Sequence, residues 1–287
     1  MAVAEPVTSG ASYARPGTLR LRIPSARGNT GLIVLGCVTL LALAGPLLAP
    51  HGSTTPAPVG SFHPPFDGTL LGTDELGRDL LSRVLFGLRA SWLSALVVVA
   101  SGVLIGGLVG LVAAMRGGWV DGLLMRMTDV FLALPGPVIT IAVVVALGPS
   151  LPHVLLAIAA VWWPWYARIV RGEVGKLLVR PHVDAARLAG VGTLRLAWRH
   201  LLPGAVPAVL VTASLDVGNL VLALAALSFL GLGAPPPTPE LGAMAANGLP
   251  YLLGHPWVAV VPAIAVFLLA FTANVAGDSV RDRLDAV

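Results

Sequence analysis

The stretch Asp184-Ala185-Ala186-Arg187-Leu188-Ala189-Gly190-Val191-Gly192-Thr193-Leu194-Arg195-Leu196-Ala197-Trp198-Arg199-His200-Leu201-Leu202-Pro203 is a charged, helix-favouring island between two long apolar segments. Pro181 stands just before it and Pro203 closes it, so both ends are marked as those of a short separate helix would be. Leu194, Leu196, Ala197, Trp198, Leu201 and Leu202 supply an apolar side, and Arg187, Arg195, Arg199 and His200 are the polar remainder. A helix Asp184–His200 of that composition, set between membrane spans, belongs in the cytoplasmic interface or just below it. The plainest reading is a basic loop that obeys the positive-inside rule.

Composition agrees with a membrane setting. Of 287 residues, 56% are hydrophobic and 11% charged. Soluble domains carry about 25% charged residues, so a globular cytosolic enzyme is excluded. The basic balance, a formal net charge of +4, does not point to nucleic acid, because the arginines sit between apolar spans rather than on one amphipathic face. Lys176 is the only lysine, and Cys37 stands alone inside an apolar run, which leaves no disulfide framework and no thiolate metal site.

The runs read as an all-α membrane protein with about six transmembrane helices and both termini in the cytoplasm. Residues 1–30 are a polar, arginine-bearing tail expected to be disordered. Residues 31–49 form a first apolar anchor; Ala42-Leu43-Ala44 resembles a signal-peptide cleavage site, but the apolar run continues to Leu48 and favours a retained anchor. Residues 50–91 form an extra-cytoplasmic loop with an amphipathic helix, capped by Thr73 or Asp74 and striped by Leu76, Leu80, Leu81, Val84, Leu85 and Leu88.

Residues 92–276 hold the remaining spans. The second is Trp92–Ala114, in which Gly102, Gly106 and Gly110 recur every fourth residue as a packing seam, either within the chain or against a partner. A short loop, Arg116–Met127, leads to a third span, Thr128–Leu147, kinked by Pro135 and Pro137. The fourth, Leu151–Ala167, carries Trp162, Trp163, Trp165 and Tyr166 as an aromatic belt. A large cytoplasmic loop, residues 168–203, precedes the fifth span, Pro207–Leu230. Residues 231–256 form an outer loop in which Pro235–Pro239 reads as rigid and extended. The sixth span is Trp257–Ala276, and residues 277–287 are a cytoplasmic tail.

This alternation places Arg15, Arg20, Arg22, Arg27, Arg116, Arg126, the seven basic residues from Arg168 to Arg199, Arg281 and Arg283 inside. Only Arg78, Arg83 and Arg89 fall outside.

No catalytic constellation is present. Gly172-Glu173-Val174-Gly175-Lys176-Leu177 is the nearest approach to a phosphate-binding loop, and it lacks both the first glycine and the Ser or Thr after the lysine. The six histidines show no paired-ligand spacing, so no metal site is expected. Asp216 and Asn219 lie one turn apart in the fifth span and either face a translocation path or make interhelical hydrogen bonds. Asp129, Asn274 and Asp278 fall near inner helix ends, where they cap or pair with Arg126 or Arg281.

Asp184-Ala185-Ala186, with Gly190 six positions after the aspartate and Pro203 at the end, resembles the "EAA" loop of ABC importer permeases, in which the first residue is usually Glu. Gly72-Thr73-Asp74, Gly77-Arg78-Asp79 and Ser82-Arg83 resemble the signature before the second span in the dipeptide/oligopeptide branch of that family. Leu227–Gly233, Pro236–Gly242 and Asn274–Asp282 resemble it too. The resemblance runs from Leu71 to the C terminus. It implies a cell (inner) membrane permease for di- or oligopeptides that works with a sister permease, two ABC ATPase subunits and an external solute-binding protein.

In that reading Asp184, Ala185, Ala186, Gly190, Arg195, Arg199, His200 and Pro203 couple to the ATPases. Asp216, Asn219 and Ser228 line the path, and Asp74, Arg78, Pro236, Pro237 and Glu240 meet the binding protein. The chain then binds no cofactor, and ATP and Mg²⁺ sit on partner subunits. Where many of these permeases carry an acidic residue, this chain has Leu224. The family leaves nickel, glutathione, haem or another solute open as cargo. A secondary transporter would instead show inverted repeats or mid-membrane ion sites, which the sequence does not.

Overall fold

Proline and glycine punctuate the apolar runs, and in the computed structural model, which describes residues 30–285, the chain breaks into helices at those marks. α1 is Thr30–Leu48, α2 Leu80–Arg116, α3 Gly118–Ala133, α4 Gly136–Leu147 and α5 Leu151–Leu178. α6 is Pro181–Leu188, α7 Thr193–Leu196, α8 Leu202–Phe229, α9 Leu241–Gly248 and α10 Trp257–Asp285. Among the described residues the only β pairing is two isolated antiparallel bridges, Pro56 with Arg78 and Thr73 with Asp79. The polar tail expected over residues 1–29 lies outside the described residues.

Four helical runs are long and apolar enough to cross a membrane: α2, α5, the run Thr193–Phe229 and α10. A fifth arises if α3 and α4 count as one broken span, and the apolar part of α1, Ile33–Leu48, is shorter.

The glycine series of α2 decides how these helices meet. A Cβ at Gly106 would fall 2.7 Å from Tyr166 Cβ and 2.9 Å from the Ala167 nitrogen; one at Gly110 would fall 2.9 Å from the Arg171 nitrogen. α2 and α5 therefore touch backbone to backbone, and the seam is within the chain. Lipid is as apolar as leucine, so close van der Waals contact rather than apolar burial holds such a pair. A second seam joins α8 to α10, where Gly218 lies against Asn274 and Gly277 against the Ser214 backbone. Trp92, Val98, Val154, Ile158, Leu220 and Leu224 fill the core between the seams.

Several expected boundaries move. No separate amphipathic helix precedes the second span. Asp79, rather than Thr73 or Asp74, caps α2 by accepting from the Ser82 N–H at 2.9 Å, and the helix then runs unbroken for 37 residues, about 55 Å. Its first turns are the stripe read as an amphipathic helix. The loop expected over Arg116–Met127 is mostly helical in α3. α3 and α4 meet at 85°, a break rather than a kink. Leu134 is extended ahead of Pro135, as a residue before proline must be, and Pro137 begins the next helix. α5 continues through Leu178, well into the stretch read as loop, and α10 continues to Asp285, into the residues read as a cytoplasmic tail.

The segments expected to lie outside are folded. Residues 49–79 wrap around Thr73, whose hydroxyl donates to the Gly60 carbonyl at 2.7 Å and accepts from the His63 N–H at 2.8 Å. Trp257 at the start of α10 donates to the Thr73 carbonyl. Phe62 stacks on His255 with centroids 4.2 Å apart. Beneath them, Asp74 accepts from the backbone of Leu76 and Arg78 and from Arg78 Nε at 2.6 Å, with Arg83 Nε at 3.5 Å. Asp74, Arg78 and Arg83 are all buried. Residues 235–238 form a turn closed by the Thr238 N–H on the Pro235 carbonyl, not an extended rod.

Two outcomes check this packing. Gly106→Leu should lower the thermal unfolding midpoint of the solubilised protein, as overpacking by about 1–3 kcal/mol does. Gly107→Leu, whose Cβ meets nothing within 4 Å, should leave it unchanged. Asp74→Ala removes the carboxylate shared by two buried guanidiniums, leaving Arg78 to Glu75 and Arg83 to the Ser53 carbonyl, and should cost about 3 kcal/mol in the same measurement, whereas Asp67→Ala, at an exposed carboxylate, should cost almost nothing.

Candidate functional site

The charged island builds a reversal rather than one helix. Pro181 opens α6 at a position where a missing N–H costs nothing. The helix ends in a Schellman motif: the Gly190 N–H donates to the Arg187 carbonyl at 2.9 Å and the Val191 N–H to the Ala186 carbonyl at 3.1 Å. Gly190 has φ of +77°, the left-handed conformation that the motif requires. The expected continuous helix Asp184–His200 is therefore split at Gly190, and the second half starts afresh at Thr193.

Pro203 does not close this second half. Helix continues from Thr193 to Phe229, and the π turn Ala197–Leu201 lies immediately ahead of the proline. A proline ring collides with the carbonyl four residues earlier and supplies no N–H; widening the preceding turn accommodates both defects.

The expected apolar side is divided. Leu196 and Leu201 are buried in one cluster with Val170, Val174, Leu177 and Val183, which pins the reversal to α5, and Ala197 is buried too. Leu194 and Trp198 instead stand 73% and 68% exposed. With Gly190, Gly192, Arg195 and Arg199 they line an open groove of about 760 Å³. Asp184, Ala185 and Pro203 are also exposed, whereas Ala186 and His200 are half-buried. His182 of α6 faces His200 with ring centroids 6.5 Å apart. The face combines two arginines and a tryptophan, residue types enriched in protein–protein interfaces, with an exposed leucine.

Gly172–Leu177, which the sequence already excludes as a phosphate-binding loop, lies inside α5, where a helical backbone turns its N–H groups onto its own carbonyls.

Asp216, only 8% exposed, accepts at Oδ2 from Trp162 Nε1 at 3.0 Å and from the Tyr166 hydroxyl at 2.8 Å. Both donors come from α5. Tyr166 is fully buried, so it belongs to the helix interface and not to an interfacial belt. Sequence reasoning missed this pairing, although the spacing of Trp162 and Tyr166 puts both donors on one helix face and a buried carboxylate demands such donors. Asn219, one turn on, is exposed. Ser228 is buried against Gly233, and its hydroxyl has no hydrogen-bond partner. Leu224 is buried in the core.

Asp129 pairs with Arg168 rather than Arg126, and Asp121 with Arg171 through both carboxylate oxygens. Thr128 is the sole buried residue described on α3; the two ion pairs and the edge-to-face contact of Phe131 with Trp163 link α3 to α5.

The residues expected to meet an external partner divide by exposure. Pro236 and Pro237 are exposed. Asp74 and Arg78 are turned inward on each other. Glu240 is fully buried: it caps α9 by accepting from the Gly242 and Ala243 N–H groups at 3.1 and 2.9 Å, and it accepts from the Ser91 hydroxyl on α2. Their side chains hold the outer face together and are not offered to a docking protein.

Comparisons with known proteins agree with this architecture. The model of the family described as "Binding-protein-dependent transport system inner membrane component" matches residues 102–286. The chain is similar to the probable D,D-dipeptide transport system permease protein DdpC of Escherichia coli, 40% identical over 89% of this chain and 86% of the relative. It is equally similar to the di/tripeptide transport system permease protein DppC of Pseudomonas aeruginosa, 40% identical over the same shares. The glutathione transport system permease protein GsiD of Pectobacterium atrosepticum is 40% identical over 75% of this chain and 71% of its own. Among solved structures, the inward-facing MetNI methionine ABC transporter superposes with a TM-score of 0.55 at 20% identity, covering 70% of this chain and 95% of that one. With a family model matched over most of its length and relatives at 40% identity across nearly all of it, the chain belongs to the binding-protein-dependent transport system inner membrane components, the permease subunits of ABC importers.

Proposed function

We propose that this permease carries di- or oligopeptides inward, beside a sister permease, with two ABC ATPases beneath and a solute-binding protein outside. The relatives named for dipeptide and di/tripeptide transport support the peptide cargo. The chain crosses the lipid bilayer six times, with α1, α2, the broken pair α3/α4, α5, the run through α8, and α10 as the crossings. Both termini lie in the cytoplasm, and ATP and Mg²⁺ are held by the partner subunits. The two arginines outside on this arrangement that are buried, Arg78 and Arg83, lie against carboxylates, which removes their objection to the positive-inside pattern.

The observation that carries the coupling role is the reversal at Gly190, which turns Leu194, Trp198, Arg195 and Arg199 outward on a rigid base. An ATPase cleft that closes on this turn pushes the start of the helix that continues through Phe229, and Asp216 moves with it. The binding protein docks on the outer face, where Pro236 and Pro237 are exposed. A second cargo has a specific observation behind it: the relative named for glutathione transport is as similar in sequence as those named for dipeptides.

Solubilised protein should recover ATPase subunits and a sister permease in a pull-down, and deletion of 184–200 should lose the ATPases. Recovery of the protein alone, together with solute movement by that lone protein after reconstitution, would replace this reading with a secondary transporter. Gly190→Pro forces φ to about −65° where +77° is needed; uptake and coupled ATP hydrolysis should vanish while membrane insertion stays normal. Gly190→Ala, which meets nothing within 4 Å, should lose only about 1–2 kcal/mol at the turn and keep partial uptake. Uptake assays with dialanine and glutathione separate the two cargoes.

A further inference from the structure

Asp216 is the only acidic residue of α8, and among the described residues its carboxylate is met by hydrogen-bond donors from Trp162 and Tyr166 rather than by an arginine or lysine. Both hydrogen bonds fall on Oδ2; Oδ1 takes none among the described residues. The two arginines that follow Tyr166 on α5, Arg168 and Arg171, are engaged with Asp129 and Asp121. A carboxylate inside a membrane protein is costly unless something positive meets it.

The same carboxylate lines a cavity of about 360 Å³ with Phe131, Leu134, Trp162 and Trp165. That volume lies within the range of about 300–1,000 Å³ typical of small-molecule sites. Aromatic rings lining a cavity with an acidic oxygen form an environment that attracts an ammonium group, since the π-systems and the carboxylate both offer negative charge. Beside it, a drier recess of about 170 Å³ shares Gly136, Val161 and Trp162 and is otherwise walled by Ile141, Ile158 and Leu227. A charged head and an apolar side chain would find separate places along one wall.

We propose that Asp216, with Phe131, Trp162 and Trp165, is a transit site for the ammonium group of the solute, and that the permease itself selects peptides with a free N terminus. This rests on the peptide-importer reading and adds to it a second selection step beyond the external binding protein. Trp162 has two roles in it, as donor to Oδ2 and as wall of the cavity. The hydrogen bonds from Trp162 and Tyr166 hold the carboxylate in place, and Oδ1 is the atom left for the ligand.

Asp216→Asn separates charge from scaffold, because the amide oxygen still accepts from Trp162 and Tyr166. In proteoliposomes holding the whole importer with its binding protein, the variant should take up dialanine at a maximal rate at least tenfold lower. The half-saturating concentration, set outside by the binding protein, should not change, and neither should the thermal unfolding midpoint. Asp216→Glu should recover part of the rate. Asn uptake at the wild-type rate overturns the proposal, and so do Asn and Glu variants equally inactive with equally lowered midpoints, which would make Asp216 a structural staple.

A measurement independent of cargo uses the purified complex titrated with n-butylammonium, with n-butanol as the uncharged control. The wild type should change its tryptophan fluorescence with the ammonium alone, and Asp216→Asn should not; identical responses overturn the site. If the wild type imports no dialanine yet keeps the Asp216-dependent ammonium response, the peptide reading falls and the cation site stands.

Discussion

Close approach of α2 to α5 is the constraint on which the rest of the structure depends. Gly102 and Gly106 remove the side chains that would hold the helices apart, and Tyr166 fills the space over them. That places its hydroxyl at the Asp216 carboxylate of α8. One tyrosine thus locks three helices, with a glycine seam on one side and a charge-assisted hydrogen bond on the other. Without the seam, Tyr166 has no reason to be buried and Asp216 loses a donor.

The face built around residues 49–79 and 240–257 follows a different logic. There the chain buries charge deliberately: Asp74 with Arg78 and Arg83, Asp79 at the start of α2, and Glu240 at the start of α9. Each carboxylate is satisfied by backbone N–H groups or guanidiniums, so none is left bare. Asp79 and Glu240 also sit at helix N-termini, where the macrodipole favours a negative charge. Ser91 ties the α9 cap to α2, and Trp257 ties the loop around Thr73 to α10. The face is stitched from polar contacts because it must hold its shape against water, while the apolar helices below meet mainly through glycine.

Much of this was legible in the sequence, for reasons that differ by residue. The apolar runs announce the long helices because length and hydropathy alone decide them. The four-residue glycine spacing announces a seam, but which helix fills it is a long-range fact that no local pattern carries. Asp74 was read as a cap because Asp caps helices; the true cap is Asp79, since Asp74 is already occupied by Arg78, five residues before the cap could form. Gly190 was recognised as a landmark from family resemblance, while its physical reason, a left-handed residue in a Schellman motif, needs the hydrogen bonds. Trp162 and Tyr166 were read as belt residues because aromatic clusters near span ends often are. Their role as donors depends on an aspartate 50 and more positions away. The proline rule failed at Pro203, where a widened turn absorbs the defect and the helix does not stop.

That widened turn has a geometric consequence for everything before it. A π turn spends one more residue than an α turn, and each α residue advances about 100° around the axis. The segment Thr193–Leu196 is therefore out of phase with α8 by roughly that angle, which is how Leu194 faces outward while Leu201 and Ala205 face in. Any relaxation of Ala197–Leu201 to regular pitch would convert axial strain into a quarter-turn of one half of this helix against the other. The junction acts as a screw thread as well as a rod, and the angular position of Asp216 relative to the outward face is written in that single extra residue.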